Sequence, residues 1–379
     1  MPRPILLTVE IDAMRHNLSQ IRRRLIDTGS SARIWAVAKA YGYGQGIEAA
    51  VSGFAQADGL AVLDLQEARS ARASGWVKPI LMLEGAFHAE DFSEMVALDC
   101  MTVIASPEHV QRFLDAPRAP RSVWVKLNTG MNRLGFAGTI SDLDLVAMLK
   151  AVRNKTDGPL NWMTHFANSE IAGGCDAQSA LFFRWQAQLA RSIGDSGGQS
   201  SLANSAASLV QPSVYADWVR PGIALYGATP FANDRVKKSA ASFGLKPVQT
   251  LSTEVIAIQS VKAGDCVGYG GRFKAMRDSR IGVLAVGYAD GYPRSAPDGT
   301  PVWIASDQGK GIVPLAGQVS MDMVTVDLTD RPDVRVGSQA QLWGAQVDID
   351  EIAHRAGTNG YELMTTVTTR VPRRVIDHG

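Results

Sequence analysis

Two patterns of apolar residues alternate between about residue 30 and residue 230. Short apolar runs rich in β-branched side chains are typical of buried strands. Eight such runs occur, namely ARIWAVA, GLAVLD, PILMLEG, MTVIAS, SVWVKLN, LNWMTHF, SSLAN and WVRPGIALYG. The segments between them, such as QEARSARASG and SDLDLVAMLKAV, have apolar residues at helical spacing.

Eight strands alternating with helices over about 200 residues predict a (β/α)₈ barrel of the TIM type. An open doubly wound sheet is the alternative, but no G-x-G-x-x-G follows the first strand to support it. The stretch IDAMRHNLSQIRRRL predicts a further helix before the first barrel strand, with Asp12 as its N-cap. Ser106 followed by Pro107 predicts another helix start.

Near residue 240 the pattern changes to short strands separated by Gly, Asp and Pro, as in RIGVLAVGYAD, PVWIAS and MVTVDL. This pattern predicts a mostly antiparallel β domain, in which IDEIAHRAG is the clearest helical segment. We therefore expect residues 1–240 to form the barrel and residues 241–379 to form a C-terminal β domain.

Composition narrows the class of protein. Of the 379 residues, 46% are hydrophobic and 20% charged, and the net charge of +1 gives no reason to expect nucleic acid or an anionic membrane as a partner. Cys100, Cys175 and Cys266 are scattered, which favours neither a disulfide framework nor a metal cluster. With no apolar run near the ~20 residues of a membrane span and no signal peptide, the sequence predicts a cytoplasmic protein.

Polar residues at the carboxyl ends of barrel strands are candidates for an active site. The predicted strand ends carry Lys39, Arg133, His165, Ser205, and Arg220 with Gly222. Each has a simpler explanation by itself: a surface lysine, a structural histidine, an ion-pair partner, a helix cap. A barrel rim brings them together, however, and a nucleophilic lysine beside a phosphate site indicates pyridoxal 5'-phosphate.

The stretch AVAKAYGYGQG resembles the cofactor-lysine motif of alanine racemases. The resemblance continues in family order over nearly the whole chain, through VKLNTGMNRLGF, MTHFANSE, LANSAAS, WVRPGIALYG, VGYGG, VGYADGY, VSMDMVTVDL and YELMTTVTTRVPRR. It implies a pyridoxal-phosphate enzyme that interconverts L-alanine and D-alanine, acting as a homodimer, for peptidoglycan synthesis or alanine catabolism.

The resemblance also implies a role for individual residues. Lys39 would bind the cofactor covalently and act as the base on one face of the substrate Cα, and Tyr269 of the other subunit would act on the opposite face. His165 would hydrogen-bond Arg220. Arg220 can only donate, so it would leave the cofactor's pyridine nitrogen unprotonated and disfavour transamination, which argues against a fold-related decarboxylase.

Other residues would hold cofactor or substrate. The phosphate contacts implied by the resemblance are Tyr43, Ser205, Gly222, Ile223 and Tyr361. Arg133 would hold the cofactor's phenolic oxygen and, with the Met321 backbone, the substrate carboxylate. Lys126 matches a lysine that is carbamylated in many members; an unmodified lysine paired with an acidic neighbour is the alternative. Tyr288 and Tyr292 would line the entrance or simply pack.

The chain departs from the family pattern at Tyr41, Gly42, Gln45 and Ser320. None of these replaces a base, so the expected reaction stands, but a racemase of another or a broader range of amino acids remains an alternative. A non-catalytic pyridoxal-phosphate carrier is a second one. Such carriers need neither the β domain nor Tyr269, and this chain has both.

Overall fold

The computed structural model describes residues 3–137, 142–195, 197–231, 238–307 and 309–379. The chain forms two compact units. The barrel unit comprises Arg15–Gly42 and Gly46–Leu225. The β unit comprises Met1–Met14, Tyr43–Gln45 and Tyr226–Gly379. The division at residues 240 and 241 remains a prediction; in the structure the chain passes between the units several times.

Eight parallel strands close into a barrel, which confirms the predicted fold class. In chain order the strands are β2 (Arg33–Val37), β3 (Gly59–Val62), β4 (Ile80–Met82), β5 (Cys100–Ile104), β6 (Val123–Lys126), β7 (Asn161–Met163), β8 (Ser200–Ser201) and β9 (Trp218–Val219). Each coincides with one of the eight predicted apolar runs. Their side chains are buried, as expected for parallel strands covered by helices on the outside.

Helices and one short turn connect these strands. They are α1 (Ile11–Asp27), α2 (Lys39–Tyr43, a single turn), α3 (Ile47–Gly53), α4 (Leu65–Ala73), α5 (Asp91–Ala97), α6 (Pro107–Asp115), α7 (Asp142–Asn154), α8 (Asp176–Ile193) and α9 (Ser205–Val210). The Ser106 side chain caps α6, with Pro107 at its first position, as predicted. Asp12 is not an N-cap, because α1 begins one residue earlier and Asp12 lies in its first turn.

Tryptophans fill part of the barrel interior. The Trp35 ring stacks on Trp218 at 4.1 Å between ring centroids and meets Trp124 edge-on at 6.3 Å. Gly59 lies directly against the Trp35 ring, where a Cβ would collide with it. The barrel is therefore a packed core rather than a pore, and chemistry is confined to its rim.

The β unit is built on a mostly antiparallel sheet, also as predicted. Its strands are β1 (Leu6–Glu10), β10 (Gln249–Val261), β11 (Cys266–Val267), β12 (Phe273–Lys274), β13 (Ser279–Leu284), β14 (Pro301–Ser306), β15 (Gly309–Pro314), β16 (Val324–Asp327), β17 (Gln339–Trp343) and β18 (Arg373–Ile376). Two helices, α10 (Ile349–Arg355) and α11 (Gly360–Thr366), complete it, and α10 is the predicted IDEIAHRAG segment.

The first strand of the chain lies inside this late sheet. β1 pairs antiparallel with β10, with Leu7 opposite Leu251, and parallel with β18, with Leu7 opposite Arg373. The main path of the sheet runs β15-β14-β17-β10-β1-β18, and β13 and β16 extend it from β10. The sequence did not predict this pairing.

Candidate active site

The barrel rim collects most of the predicted site residues. Lys39 lies two residues beyond β2, Lys126 ends β6, and Arg220 directly follows β9. All three strands are parallel, so these residues lie at the same end of the barrel. Arg133 and His165 follow β6 and β7. Burial and the positive charge of Arg133 both lower the pKa values of Lys39, Lys126 and His165.

Lys39 lies in a polar but largely desolvated position. Burial lowers the pKa of its amine, and the positive charge of Arg133 lowers it further. The carboxylates of Glu84 and Glu67 act in the opposite direction. A lowered pKa increases the neutral fraction of the amine, which is the nucleophilic form.

The backbone after Lys39 is unusual. The turn α2 is left-handed at Ala40 (φ 54°), Tyr41 (φ 53°) and Gly42 (φ 62°). Tyr43 also has a positive φ of 53°. Left-handed backbone costs a non-glycine residue about 1–2 kcal/mol, so only Gly42 adopts it cheaply. Two of the departures from the family pattern, Tyr41 and Gly42, therefore lie in a strained turn next to the lysine.

Arg220 is buried among neutral partners. Its guanidinium donates to the Ser201 hydroxyl and to the Thr164 carbonyl at 2.5 Å each, and to the Leu202 carbonyl at 3.3 Å. Burial lowers the pKa of Arg220 to about 10, so it still carries a proton at neutral pH. The site therefore contains a fixed donor that cannot accept a proton.

The implied hydrogen bond between His165 and Arg220 does not form in this structure. The side-chain donors of Arg220 face Ser201 and the carbonyls of Thr164 and Leu202 instead. Burial, followed by the positive charge of Arg220, holds the pKa of His165 well below its usual range. The His165 ring is neutral at pH 7, and its coupling to Arg220 is electrostatic.

A buried amide fixes the backbone that carries His165. The Gln178 side chain on α8 donates to the His165 carbonyl and to the Thr129 hydroxyl at 3.1 Å each, and accepts from the Ala167 N–H at 2.9 Å. The hydroxyls of Thr129 and Thr164 lie 2.8 Å apart. The sequence analysis missed Gln178, Thr129, Thr164 and Ser201. Polar residues inside or just after apolar strands were the only available signal.

Ser205 begins α9 but does not cap it. The Asn204 side chain accepts from the Ala207 N–H and is the N-cap. The Ser205 hydroxyl oxygen accepts from the N–H groups of Gly222 at 2.8 Å and Ala224 at 3.4 Å. Ser205 and the backbone from Gly222 to Ala224 therefore lie together, and the Ser205 hydroxyl keeps its own proton to donate, which suits a phosphate.

The two tyrosines predicted to contact phosphate lie together in the β unit. The Tyr43 ring stacks on Tyr226 at 4.4 Å and lies 6.1 Å from the Tyr361 ring. Burial, with the nearby Tyr361, raises the pKa of Tyr43 strongly, so its hydroxyl keeps its proton and remains a donor. Gln45 is 2% exposed and donates to the Tyr43 carbonyl at 3.1 Å. The Gln45 departure is thus a buried structural contact.

Tyr269, predicted to complete a partner's site, and Met321, predicted to hold the substrate carboxylate, are both exposed in the β unit. Tyr269 lies in a short 3₁₀ turn after β11, and its side chain is 77% exposed. Met321, 53% exposed, lies in the turn before β16. The Met321 carbonyl accepts from the Ala289 N–H at 3.0 Å, and Ser320 hydrogen-bonds Met323, which fixes that turn.

A cluster of charges around the buried Asp290 supports the same turn. Arg370 pairs with Asp322 at 2.7 Å and with Asp290 at 2.9 Å, and Arg3 pairs with Asp322 at 3.2 Å. Asp290 is fully buried and accepts from the Gly287 N–H at 2.9 Å. This cluster ties the Met321 turn to the GYAD segment.

Tyr288 and Tyr292 have different surroundings. Tyr288 is 37% exposed, whereas Tyr292 is buried and stacks on Trp343 at 6.1 Å between centroids. For Tyr292 the packing interpretation is therefore correct and the entrance interpretation is wrong.

Within the described ranges, no helix is both long and apolar enough to cross a membrane. The same residues contain no group of three His, Cys, Asp or Glu side chains placed to hold a metal ion.

Comparisons with known proteins agree over the whole chain. Two family models match in succession, "Alanine racemase, N-terminal domain" over residues 9–230 and "Alanine racemase, C-terminal domain" over residues 248–375. An alanine racemase of Variovorax paradoxus (strain S110) is 44% identical, with 98% of each chain covered. A catabolic alanine racemase of Salmonella typhimurium is 42% identical over 98% of this chain and 99% of its own.

Solved structures agree as well. The biosynthetic alanine racemase of Pseudomonas aeruginosa has a TM-score of 0.88 and 40% identity, with 99% of this chain and 100% of that chain covered. An alanine racemase of Bartonella henselae with covalently bound pyridoxal phosphate has the same fold, with a TM-score of 0.84 at 24% identity over 99% of this chain and 100% of that one.

Proposed function

The chain belongs to the alanine racemase family, and on that premise we propose that it interconverts L-alanine and D-alanine with pyridoxal 5'-phosphate. The observation that carries the proposal is the rim of the barrel, where Lys39, with a lowered pKa, and the buried, proton-bearing Arg220 follow parallel strands at the same end.

The rim fits the cofactor chemically. Lys39 supplies the amine for a covalent link, and the Ser205 hydroxyl, which lies against the backbone at Gly222 and Ile223, would donate to the phosphate. The hydroxyls of Tyr43 and Tyr361 would complete the phosphate contacts. When bound, pyridoxal phosphate withdraws electron density from the substrate Cα and makes its proton removable.

Two bases would move that proton. Lys39 would take it from one face of Cα, and Tyr269 of the partner subunit would return one to the other face, or the reverse. Bases on opposite faces allow inversion without rotation of the substrate. The exposure of Tyr269 in one chain supports this, since an exposed side chain is available to enter the site of a second chain.

Arg220 would select racemisation over other reactions. Its guanidinium can only donate, so it would hold the cofactor's pyridine nitrogen without a proton on that atom. Negative charge at Cα is then poorly delocalised, and Cα regains a proton quickly. His165, neutral and near this charge, would fill the space beside Arg220 without adding a second cation.

Arg133 and the Met321 backbone would hold the substrate carboxylate. Burial lowers the pKa of the Lys126 amine to about 8, with Arg220 and Arg133 adding to the effect and Glu84 opposing it. The neutral amine is the form that reacts with carbon dioxide, so this supports carbamylation of Lys126. The resulting carboxylate would then brace Arg133.

At the level of the whole molecule, we propose a cytoplasmic homodimer whose barrel and C-terminal β domain divide near residue 240. Cys100 and Cys175 are buried as free thiols, and Cys266 is exposed as one, which suits a reducing compartment. The named relatives include both a catabolic and a biosynthetic enzyme, so D-alanine supply for peptidoglycan and alanine breakdown are both roles to test.

Purified protein loaded with pyridoxal phosphate tests the function. Borohydride should fix the cofactor onto Lys39, as identified by mass spectrometry of peptides, and the protein should racemise L-alanine. A Lys39→Ala protein that keeps full racemase activity would rule out the mechanism. A panel of L-amino acids under the same conditions decides between an alanine-specific and a broader racemase. Loss of carboxyl carbon from substrate would instead indicate a decarboxylase.

A further inference from the structure

Glu67 is a buried carboxylate to which the proposed mechanism assigns no role. It is the third residue of α4 and is only 3% exposed. One of its oxygens, Oε2, accepts from the N–H groups of Leu63 at 3.0 Å and Asp64 at 3.2 Å. The Asp64 side chain accepts in return from the first turn of the helix, so the pair forms a capping box.

The second oxygen makes its hydrogen bond outside α4. Glu67 Oε1 accepts from the Tyr41 N–H at 2.9 Å, in the left-handed turn that directly follows Lys39. A capping box uses one carboxylate oxygen only, so helix capping does not explain this contact. One buried charge therefore connects the amino end of α4 to the turn beside the lysine.

The turn needs such a contact. Ala40 and Tyr41 are both left-handed without being glycine, and strained backbone persists where its surroundings fix it. The neighbouring backbone hydrogen bonds use other groups: Gly42 N–H donates to the Ala38 carbonyl, and Gly46 N–H donates to the Tyr41 carbonyl. Glu67 accepts from the Tyr41 N–H, and a hydrogen bond to a carboxylate is stronger than one to a neutral acceptor.

The negative charge of the same carboxylate also acts on the Lys39 amine. The charges acting on Lys39 are those of Arg133, Glu84 and Glu67, and Glu67 raises the pKa of the amine against the effect of burial. The hydrogen bond of Glu67 to the turn and its charge therefore both connect it to Lys39.

We propose that Glu67 is a positioning residue for Lys39, whose carboxylate fixes the strained turn and thereby the direction in which the lysine amine is presented. The inference rests on the proposed function, in which Lys39 carries the cofactor. It adds a residue on a different strand–helix connection from any residue assigned above.

Glu67→Gln is the discriminating variant. A glutamine has nearly the same shape, but its NH₂ group would face either the Tyr41 N–H or the Leu63 and Asp64 N–H groups, and donors do not pair with donors. We expect the apoprotein to take up pyridoxal phosphate covalently about 10- to 100-fold more slowly, followed by absorbance in a stopped-flow mixer. The pH at which the absorbance of the bound cofactor changes should also shift.

Asp64→Ala is the matched control. It removes the other half of the same capping box, the hydrogen bond from the Gln66 N–H at 2.6 Å, without touching the turn. We expect a comparable drop in the unfolding midpoint but an unchanged uptake rate and absorbance titration. Equal slowing in both variants, or no slowing in Glu67→Gln, overturns the proposal.

A double variant tests whether slow uptake comes from strain in the turn or from a general loss of folding. Adding Ala40→Gly to Glu67→Gln removes part of the strain that the carboxylate compensates, and uptake should recover partly. A double variant that is folded and as slow as Glu67→Gln alone contradicts the role in the turn. If the wild-type protein takes up no cofactor on Lys39, the proposed function fails; if it does and Glu67→Gln matches it, only the positioning role fails.

Discussion

The Arg220 guanidinium shows how much one residue depends on neutral neighbours. Its charge is buried, and two carbonyls and the Ser201 hydroxyl share its hydrogen bonds. A buried donor left without an acceptor costs more than the average worth of the hydrogen bond it loses. Substitutions around Arg220 should therefore affect both stability and the site.

Ser201→Ala tests that dependence. It leaves one Arg220 N–H unpaired, and we expect the free energy of unfolding to fall by about 1–3 kcal/mol. The activity should fall with it, because the guanidinium loses a fixed direction. Ser200→Ala, which removes a neighbouring buried hydroxyl bonded to Gln186 on the outer helix, should cost stability but little activity. Urea unfolding and racemase rates measure both; equal activity losses would contradict the assignment.

His165 gives a prediction about pH. Its pKa is lowered in the folded state, so below about pH 6.5 the unfolded chain binds a proton that the folded chain does not. The unfolded state then binds more protons, and stability is lost as pH falls, by up to about 1.4 kcal/mol per pH unit. In His165→Gln this loss should be smaller. Exposed His88→Gln is the control, and urea midpoints of apoprotein from pH 7 to 5 are the measurement.

At the scale of elements, the apolar pattern of the sequence predicted the barrel strands but neither the pairing of β1 nor the turn after Lys39. Most barrel strands are apolar runs because both of their faces are buried, and this pattern is visible in sequence, although β8 consists of two buried serines. β1 has the alternation of a strand with one buried face, but its partners β10 and β18 lie far along the chain, where local pattern gives no information. The left-handed turn after Lys39 was not predicted either, because Ala40 and Tyr41 are not typical of positive φ.

Alternate residues of β1 should differ in their importance. Leu7 is fully buried and Leu6 is only partly buried, on the opposite face of the strand. We expect Leu7→Ala to lower the free energy of unfolding by about 2–5 kcal/mol and Leu6→Ala by clearly less. Urea unfolding at one protein concentration measures both. Equal losses would show that β1 does not pack as the register indicates.

At the scale of the whole molecule, the candidate site could be predicted only in part. Residues at the carboxyl ends of strands were found because the barrel rim gathers them, whereas Glu67 and Gln178 were missed because they act through backbone groups on other elements. A sequence shows the charge of such a residue but not the N–H or carbonyl that it meets.

Mixing two inactive variants tests the shared site. Lys39→Ala and Tyr269→Phe chains should each be inactive, and exchange between them should restore about a quarter of the wild-type activity, since half of the dimers are mixed and each has one intact site. Subunit exchange is verified with chains of two different tags. The control mixture of Lys39→Ala with the double variant should stay inactive. No recovery after proven exchange would contradict a site shared across the interface.

The aromatic stack around Tyr43 also has a consequence for synthesis of the protein. Tyr43 packs against the Tyr226 and Tyr361 rings, both of which are synthesised long after it. The segment just after Lys39 therefore cannot reach its final packing until Tyr361 has been synthesised. A chain truncated before α11 should contain every barrel strand and still lack a finished lysine loop, so premature termination would release a barrel without an active enzyme.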